Sequence, residues 1–253
     1  MSTILVDRIH IDAGCELTTG PSYPSEHAGP VFFAANAVKS LQSWPSDRLR
    51  SLGSLPYPMG YNHHNDRYEI KLWSEILKSV AQAVTRCKVI TLVGGGAVSA
   101  ELDSLETLFH HIAGKMVESM QFSSEAVPGT VWPSTNAYQA EPVSDEERVV
   151  IALGPVPPIC RLGNFHRCTT LFIDDHFTEA MVDISGSAFV APVSAGGWKL
   201  SHIAFRRLLD IETEMAAGEN YRRLYDEVGC FRRPLCYIMA DLLRKIREER
   251  SRT

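Results

Sequence analysis

The stretch that decides the fold is CKVITLVGGGAVSAELDSLETLF, Cys87 to Phe109. Its opening, KVITLV, is a β-prone run too short for a buried helix, and three consecutive glycines, Gly94, Gly95 and Gly96, close it. Beyond them Val98, Leu102, Leu105, Phe109 and Ile112 recur at helical spacing. A strand, a glycine turn and an amphipathic helix therefore follow one another. Such a turn is either a tight connection or a phosphate cradle. Glycine lets the backbone approach a ligand, and the helix that follows presents unpaired N–H groups with a partial positive charge.

The flanking sequence extends the pattern. In DRYEIKLWSEILKSVAQAVTRC, Trp73, Ile76, Leu77, Val80 and Val84 mark a helix, and Asp66 with Glu69 three residues on predicts a capping box at its start. RVVIALGPVPP and TTLFIDD read as two further strands. GSAFVAPVSAGG reads as another, again ending in glycines, with a helix behind it marked by Ile203, Leu208, Ile211 and Met215. Earlier, GPVFFAANAVKSL reads as a buried strand ending near Ala34, and Leu235 to Ile246 as a strand turning into a terminal helix. The two strand–glycine–helix units, at 89–112 and 187–215, predict an α/β, Rossmann-like fold. Its sheet would be open and mostly parallel, with helices on both faces and its ligand beyond the carboxyl ends of the strands. Residues 1–29 read as an N-terminal extension, a short alternating segment from Ile4 to Ile11 followed by loop, and residues 30–253 as a single domain.

Composition narrows the function classes. The chain has 253 residues, 45% of them apolar, and a net charge of −5, so it lacks the basic face that a nucleic-acid binder needs. The basic residues near the end are interleaved with acids and read as a solvated helix face. Six scattered cysteines without CxxC spacing indicate neither a disulfide scaffold nor a structural zinc site. No uncharged apolar run approaches a membrane span, and the charged N-terminus is unlike a signal peptide. A reduced, cytoplasmic protein is expected.

The order and spacing of these segments resemble the Lonely Guy family, also labelled lysine decarboxylase-like. Its members are Rossmann-like phosphoribohydrolases that release a base from a nucleoside 5′-monophosphate. YEIKLWSEILKSVAQAVTRCKVITLVGGG resembles the family's helix and first glycine turn, and TTLFIDD the strand before its Arg-Lys pair. MVDISGSAFVAPVSAGGWKLSHIAF resembles the motif containing PGGxGT, and RRPLCYIM the strand after it. The resemblance spans Val31 to Met239, with an apparent insertion at about 115–147. It implies a nucleotide ligand and a homodimer or larger homo-oligomer. Leu200 stands where the family has its catalytic Glu, and no acid occurs from Gly196 through Leu209. Phe177 and Thr178 stand where the Arg-Lys pair belongs, and PGGxGT has become PVSAGG. Glycosidic cleavage passes through an oxocarbenium-like state that needs a nearby carboxylate and help for the leaving base. Any such reaction here would have to use other residues.

Asp174, Asp175 and His176 are the candidate substitutes, at a strand end on the ligand edge. The carboxylates can bind ribose hydroxyls or a metal, or serve only as an N-cap and a solvated acid, and His176 is the motif's candidate base or ligand. Gly94, Gly95, Gly96 and Ser99 in the first turn, with Pro192, Ser194, Gly196, Gly197 and Lys199 in the second, are the candidate phosphate contacts. No acidic residue lies at a strand end about 20 residues beyond the first turn, which argues against a dinucleotide. His64-Asn65-Asp66 has the H-x-D form of an iron site, but a helix is expected after it rather than a jelly-roll strand. Glu69-x-Lys71 has a nuclease-like spacing that a helix could not align. No metal and no organic cofactor are expected. Three readings stay open: a divergent N-glycosidase, a catalytically inactive nucleotide sensor, and an assembly protein that kept the fold without the pocket.

Overall fold

The computed structural model describes residues 28–95, 99–122, 147–156, 167–184, 186–194, 198 and 232–252. Among them a single seven-stranded sheet organises the chain. Its strands are β1 (Met59–Asn62), β2 (Arg67–Ile70), β3 (Val89–Gly95), β4 (Met116–Phe122), β5 (Arg148–Leu153), β6 (Thr169–Asp174) and β7 (Ala188–Pro192), in the order β2-β1-β7-β6-β5-β3-β4. Strands β4, β3, β5, β6 and β7 are parallel, and the β1–β2 hairpin adds antiparallel to β7. The Rossmann-like α/β class expected from the sequence is the fold observed.

Both faces of the sheet are covered, which is why the central strands carry almost no polar residues. On one face Ile90, Leu92, Val149, Ile151, Leu153, Leu171, Ile173 and Ala191 pack against three long helices, α4 (Trp73–Arg86), α5 (Ser99–Ala113) and α7 (Leu235–Arg250). The alternate residues Val93, Val150, Ala152, Phe172 and Val190 face short helices: α1 (Pro30–Ala35), α2 (Val38–Leu41), α3 (Ser46–Ser51) and α6 (Glu179–Val182). Helix α4 buries Trp73, Ile76, Leu77, Val80, Ala81 and Val84, a stripe at helical spacing. At the far end of α7, Arg250 Nη1 donates to the Ile112 carbonyl, which sets a cation on the negative end of α5. No helix among the described residues is long and apolar enough to cross a membrane.

Three expectations need correction. The run after Gly29 forms α1 rather than a strand, with Pro30 at the start of the helix, where its missing N–H is harmless. Phe32 and Phe33 then sit side by side in the core, edge-to-face at 5.2 Å, a contact that the composition of a short apolar run does not reveal. The helix expected from Asp66 begins only at Trp73, and its first turn is closed by Glu75, whose carboxylate accepts the Leu72 N–H at 3.1 Å. Asp66 occupies the β1–β2 turn with φ 56°, accepting from the Tyr61 hydroxyl at 2.7 Å and from the Lys39 N–H of α2 at 3.1 Å. It does cap a helix, but a different one. Leu235–Arg250 is helical throughout, because Pro234 ends the extended chain and the apolar residues behind it follow the helical period.

Other assignments shift with these. Met116–Phe122, inside the segment that the resemblance reads as an insertion, is β4, paired along its whole length with β3. Glu69 and its neighbours form a strand, so the helix argument against a nuclease or iron site falls away. Local bonds replace it: Asn62 and Asn65 each donate to Glu69 at 2.8 Å. The segments at 4–11 and 203–215 lie outside the described residues.

Two features of β3 make testable demands on the core. A Cβ on Gly94 would stand 2.6 Å from Leu102 Cδ1, so the first glycine lets α5 close onto the strand. Gly94→Ala is expected to destabilise by about 1–3 kcal/mol in urea unfolding, with much of the loss recovered in the Gly94→Ala/Leu102→Ala double variant. Nearer the start of the strands, Arg148 of β5 reaches across β3 to Thr91 Oγ1 at 2.5 Å and Glu118 Oε2 of β4 at 2.6 Å. Arg148 is 3% exposed and Glu118 11%, so Glu118→Ala is expected to lower stability by about 3 kcal/mol in the same measurement.

Candidate functional site

In a parallel sheet the register fixes which residues share the carboxyl edge. Gly94 pairs with Leu153, Leu153 with Ile173, and Ile173 with Ala191. One residue further on, Gly95, Gly154, Asp174 and Pro192 therefore lie in a row across β3, β5, β6 and β7. The chain runs from β3 outward to β4 and then back to β5 on the other side of β3. That reversal is a topological switch point, the crevice where open α/β sheets bind ligands. At about 5 Å per strand, Asp174 stands about 10 Å from Gly95.

Asp174 is 3% exposed and closes β6. Its Oδ1 accepts the N–H groups of Asp175 at 2.7 Å and His176 at 3.3 Å, which turns the chain back over the edge. The Asp175 carbonyl accepts the Leu55 N–H at 2.8 Å, and His176 bridges antiparallel to Ser54. Asp175 Oδ1 and His176 Nδ1 lie 2.7 Å apart, with the two side chains 31% and 43% exposed. Asp174 Oδ2, by contrast, is buried and accepts no N–H or O–H from a neighbouring group. Burial pushes the Asp174 carboxyl up to about 7 and the Asp175 carboxylate adds to the rise, against the pull of the two N–H groups. Partial burial raises Asp175 as well, but its bonds with His176 and Asp174 outweigh that and hold it below the usual carboxylate range.

The structure brings together part of the residue set read from the sequence. Asp174, Asp175 and His176 form one cluster, and Pro192 is in register with Asp174. Val193 N–H donates to the Asp174 carbonyl at 3.1 Å, and Ser194 N–H to the Arg233 carbonyl at 3.1 Å. Gly95 ends β3 and Ser99 begins α5 on the same edge, while Gly94 is buried beneath Leu102. Gly96, Gly196, Gly197 and Lys199 lie outside the described residues.

Two features of the edge were not singled out in the sequence. Gly154 directly follows β5 with φ 75°, in the left-handed region open to glycine, and donates its N–H to the Ile173 carbonyl at 2.9 Å. The dipeptide Gly154-Pro155 carried that signal. Arg232 Nε donates to the Leu55 carbonyl at 2.8 Å, which ties the chain after β7 to the strap over Asp175; only the fold could place it.

Phe177, which the resemblance sets at the place of the Arg-Lys pair, belongs to the core. It is fully buried, 5.0 Å from Phe33 and 5.8 Å from Tyr68, ring to ring. A cation could not occupy that place without losing its water. No family model matches the chain, and no curated protein is significantly similar to it in sequence.

The raised Asp174 carboxyl has a consequence for stability. Its contribution is full below the ordinary value of 3.8 and is lost as pH rises through about 7. Asp174→Asn cannot ionise, so it is expected to gain on wild type by an amount on the order of 2 kcal/mol between about pH 5 and about pH 8, read from chemical unfolding at both. Equal stability differences at the two pH values would show that Asp174 titrates normally.

Proposed function

We propose that this chain binds a nucleoside 5′-monophosphate, or a closely related phosphorylated ligand, as a divergent relative of the Lonely Guy phosphoribohydrolases. The observation that carries this reading is the row Gly95, Gly154, Asp174 and Pro192 at the switch point of a doubly wound sheet. The phosphate sits against the glycine turn ahead of α5, where N–H groups and the helix dipole favour an anion. The sugar and base reach along the edge toward Asp174, Asp175 and His176. The protein works in a reducing, cytoplasmic setting, to which the buried thiols of Cys87 and Cys236 are suited, and as a homodimer or larger assembly.

Hydrolysis of the glycosidic bond is the second reading, and the Asp175–His176 contact favours it. A carboxylate that orients an imidazole places an acid–base group beside a negative charge, the two things an oxocarbenium-like transition state requires. Without that activity the same edge serves as a nucleotide sensor.

The test is a thermal-shift screen against nucleoside mono-, di- and triphosphates, with base release followed on the same samples. A ligand at 100 times its Kd is expected to add about 2.7 kcal/mol. Stabilisation with base release that Asp175→Asn and His176→Ala abolish supports the hydrolase, and stabilisation alone supports the sensor. No shift with any nucleotide, together with a stable oligomer in light scattering, would leave the assembly reading.

A further inference from the structure

We propose that Asp174, Asp175 and His176 hold a divalent transition-metal cation at the carboxyl edge of β6, against the expectation from sequence of a metal-free protein. Each of the three offers one ligand atom, and these atoms all lie within 4.8 Å of one another. They form the one such group among the described residues. Proximity alone would not assign a site, because acidic side chains often gather without a ligand. The second observation is Asp174 Oδ2, which belongs to a side chain 3% exposed and meets no donor. Buried polar atoms are nearly always paired, and one that is not calls for a water or an ion.

The geometry around that oxygen is already fixed. Oδ1 is committed to the N–H groups of Asp175 and His176, so the main chain holds the carboxylate in place and leaves Oδ2 as its free donor. Asp175 and His176 are partly exposed and give the cation a path from solvent. Two carboxylate oxygens and an imidazole nitrogen form a mixed set that suits Mn²⁺, Fe²⁺ or Zn²⁺. Ca²⁺ and Mg²⁺ prefer oxygen alone, and structural zinc sites are usually rich in thiolate. Three protein ligands leave coordination positions open, as catalytic metal sites do. The site does not require the nucleotide reading. If both hold, the open positions face the sugar end of the ligand.

The experiment is calorimetric titration of chelator-treated protein with Mn²⁺, Zn²⁺ and Mg²⁺, with Co²⁺ absorption reporting ligand type. Wild type is expected to bind Mn²⁺ or Zn²⁺ at one site per chain and Mg²⁺ more weakly. Asp174→Asn, Asp175→Asn and His176→Gln should each weaken binding by about tenfold or more. The His63→Ala/His64→Ala variant, which removes two histidines of the hairpin, should bind as wild type does. Circular dichroism and chemical unfolding of each variant separate lost binding from lost fold. Saturable binding that disappears in all three site variants supports the assignment. No saturable binding by wild type, or affinity unchanged in folded Asp174→Asn and Asp175→Asn, overturns it.

Discussion

The carboxyl edge of this molecule hangs on one side chain. Asp174 Oδ1 takes the N–H groups of the next two residues, and its main-chain carbonyl takes Val193 N–H from the end of β7. The turn this creates sets Asp175 against Leu55 and His176 against Ser54, so a strap from before the hairpin is laid over the end of β6. Arg232 and Arg233 then anchor the chain after β7 to that strap and to Pro192. Three distant parts of the sequence meet because one carboxylate satisfies backbone groups that would otherwise face a buried edge without partners.

Satisfying those groups has a local cost. Putting a carboxylate in the interior beside a second one disfavours its charge, and Asp174 answers by holding its proton to about neutral pH. The rest of the edge is built differently. Glycine ends β3 and directly follows β5, where backbone rather than side chain faces outward, and Phe177 fills its place with aromatic packing. Asp174, Asp175 and His176 carry the side-chain chemistry at the end of β6, and Arg232 and Arg233 bring two guanidinium groups to the chain after β7. The other large buried charges are engaged by partners of their own: Arg148, at the start of β5, by Thr91 and Glu118, and Arg233, after β7, by Asp241.

Much of the fold was legible because its signals are local and long. The stripe from Trp73 to Val84 and the run from Val89 to Gly95 each repeat one period often enough to exclude the alternative. Where the segment was short the signal failed. Val31–Ala34 suits a strand or a helix equally, and neighbours far away in the chain, Tyr68 and Phe177 around Phe33, decided for the helix. The Asp66–Glu69 spacing fits a capping box, yet Tyr61 and the N–H of Lys39 claimed Asp66 for the hairpin turn. Of the candidate site, the Asp174–Asp175–His176 triplet could be read as neighbours in sequence. The unpartnered oxygen of Asp174, the level of Gly154 and the reach of Arg232 could not.

By itself the sequence determined the α/β class, the two-faced burial of the central strands and the punctuation of their ends by glycine. Those follow from periodicity and backbone freedom, which act over a few residues. The tertiary structure decided which strand ends share a level, which carboxylate is buried and which is left partly in water. Hydrogen-bond register across a sheet and desolvation depend on groups brought together from far apart, and no local pattern carries that information.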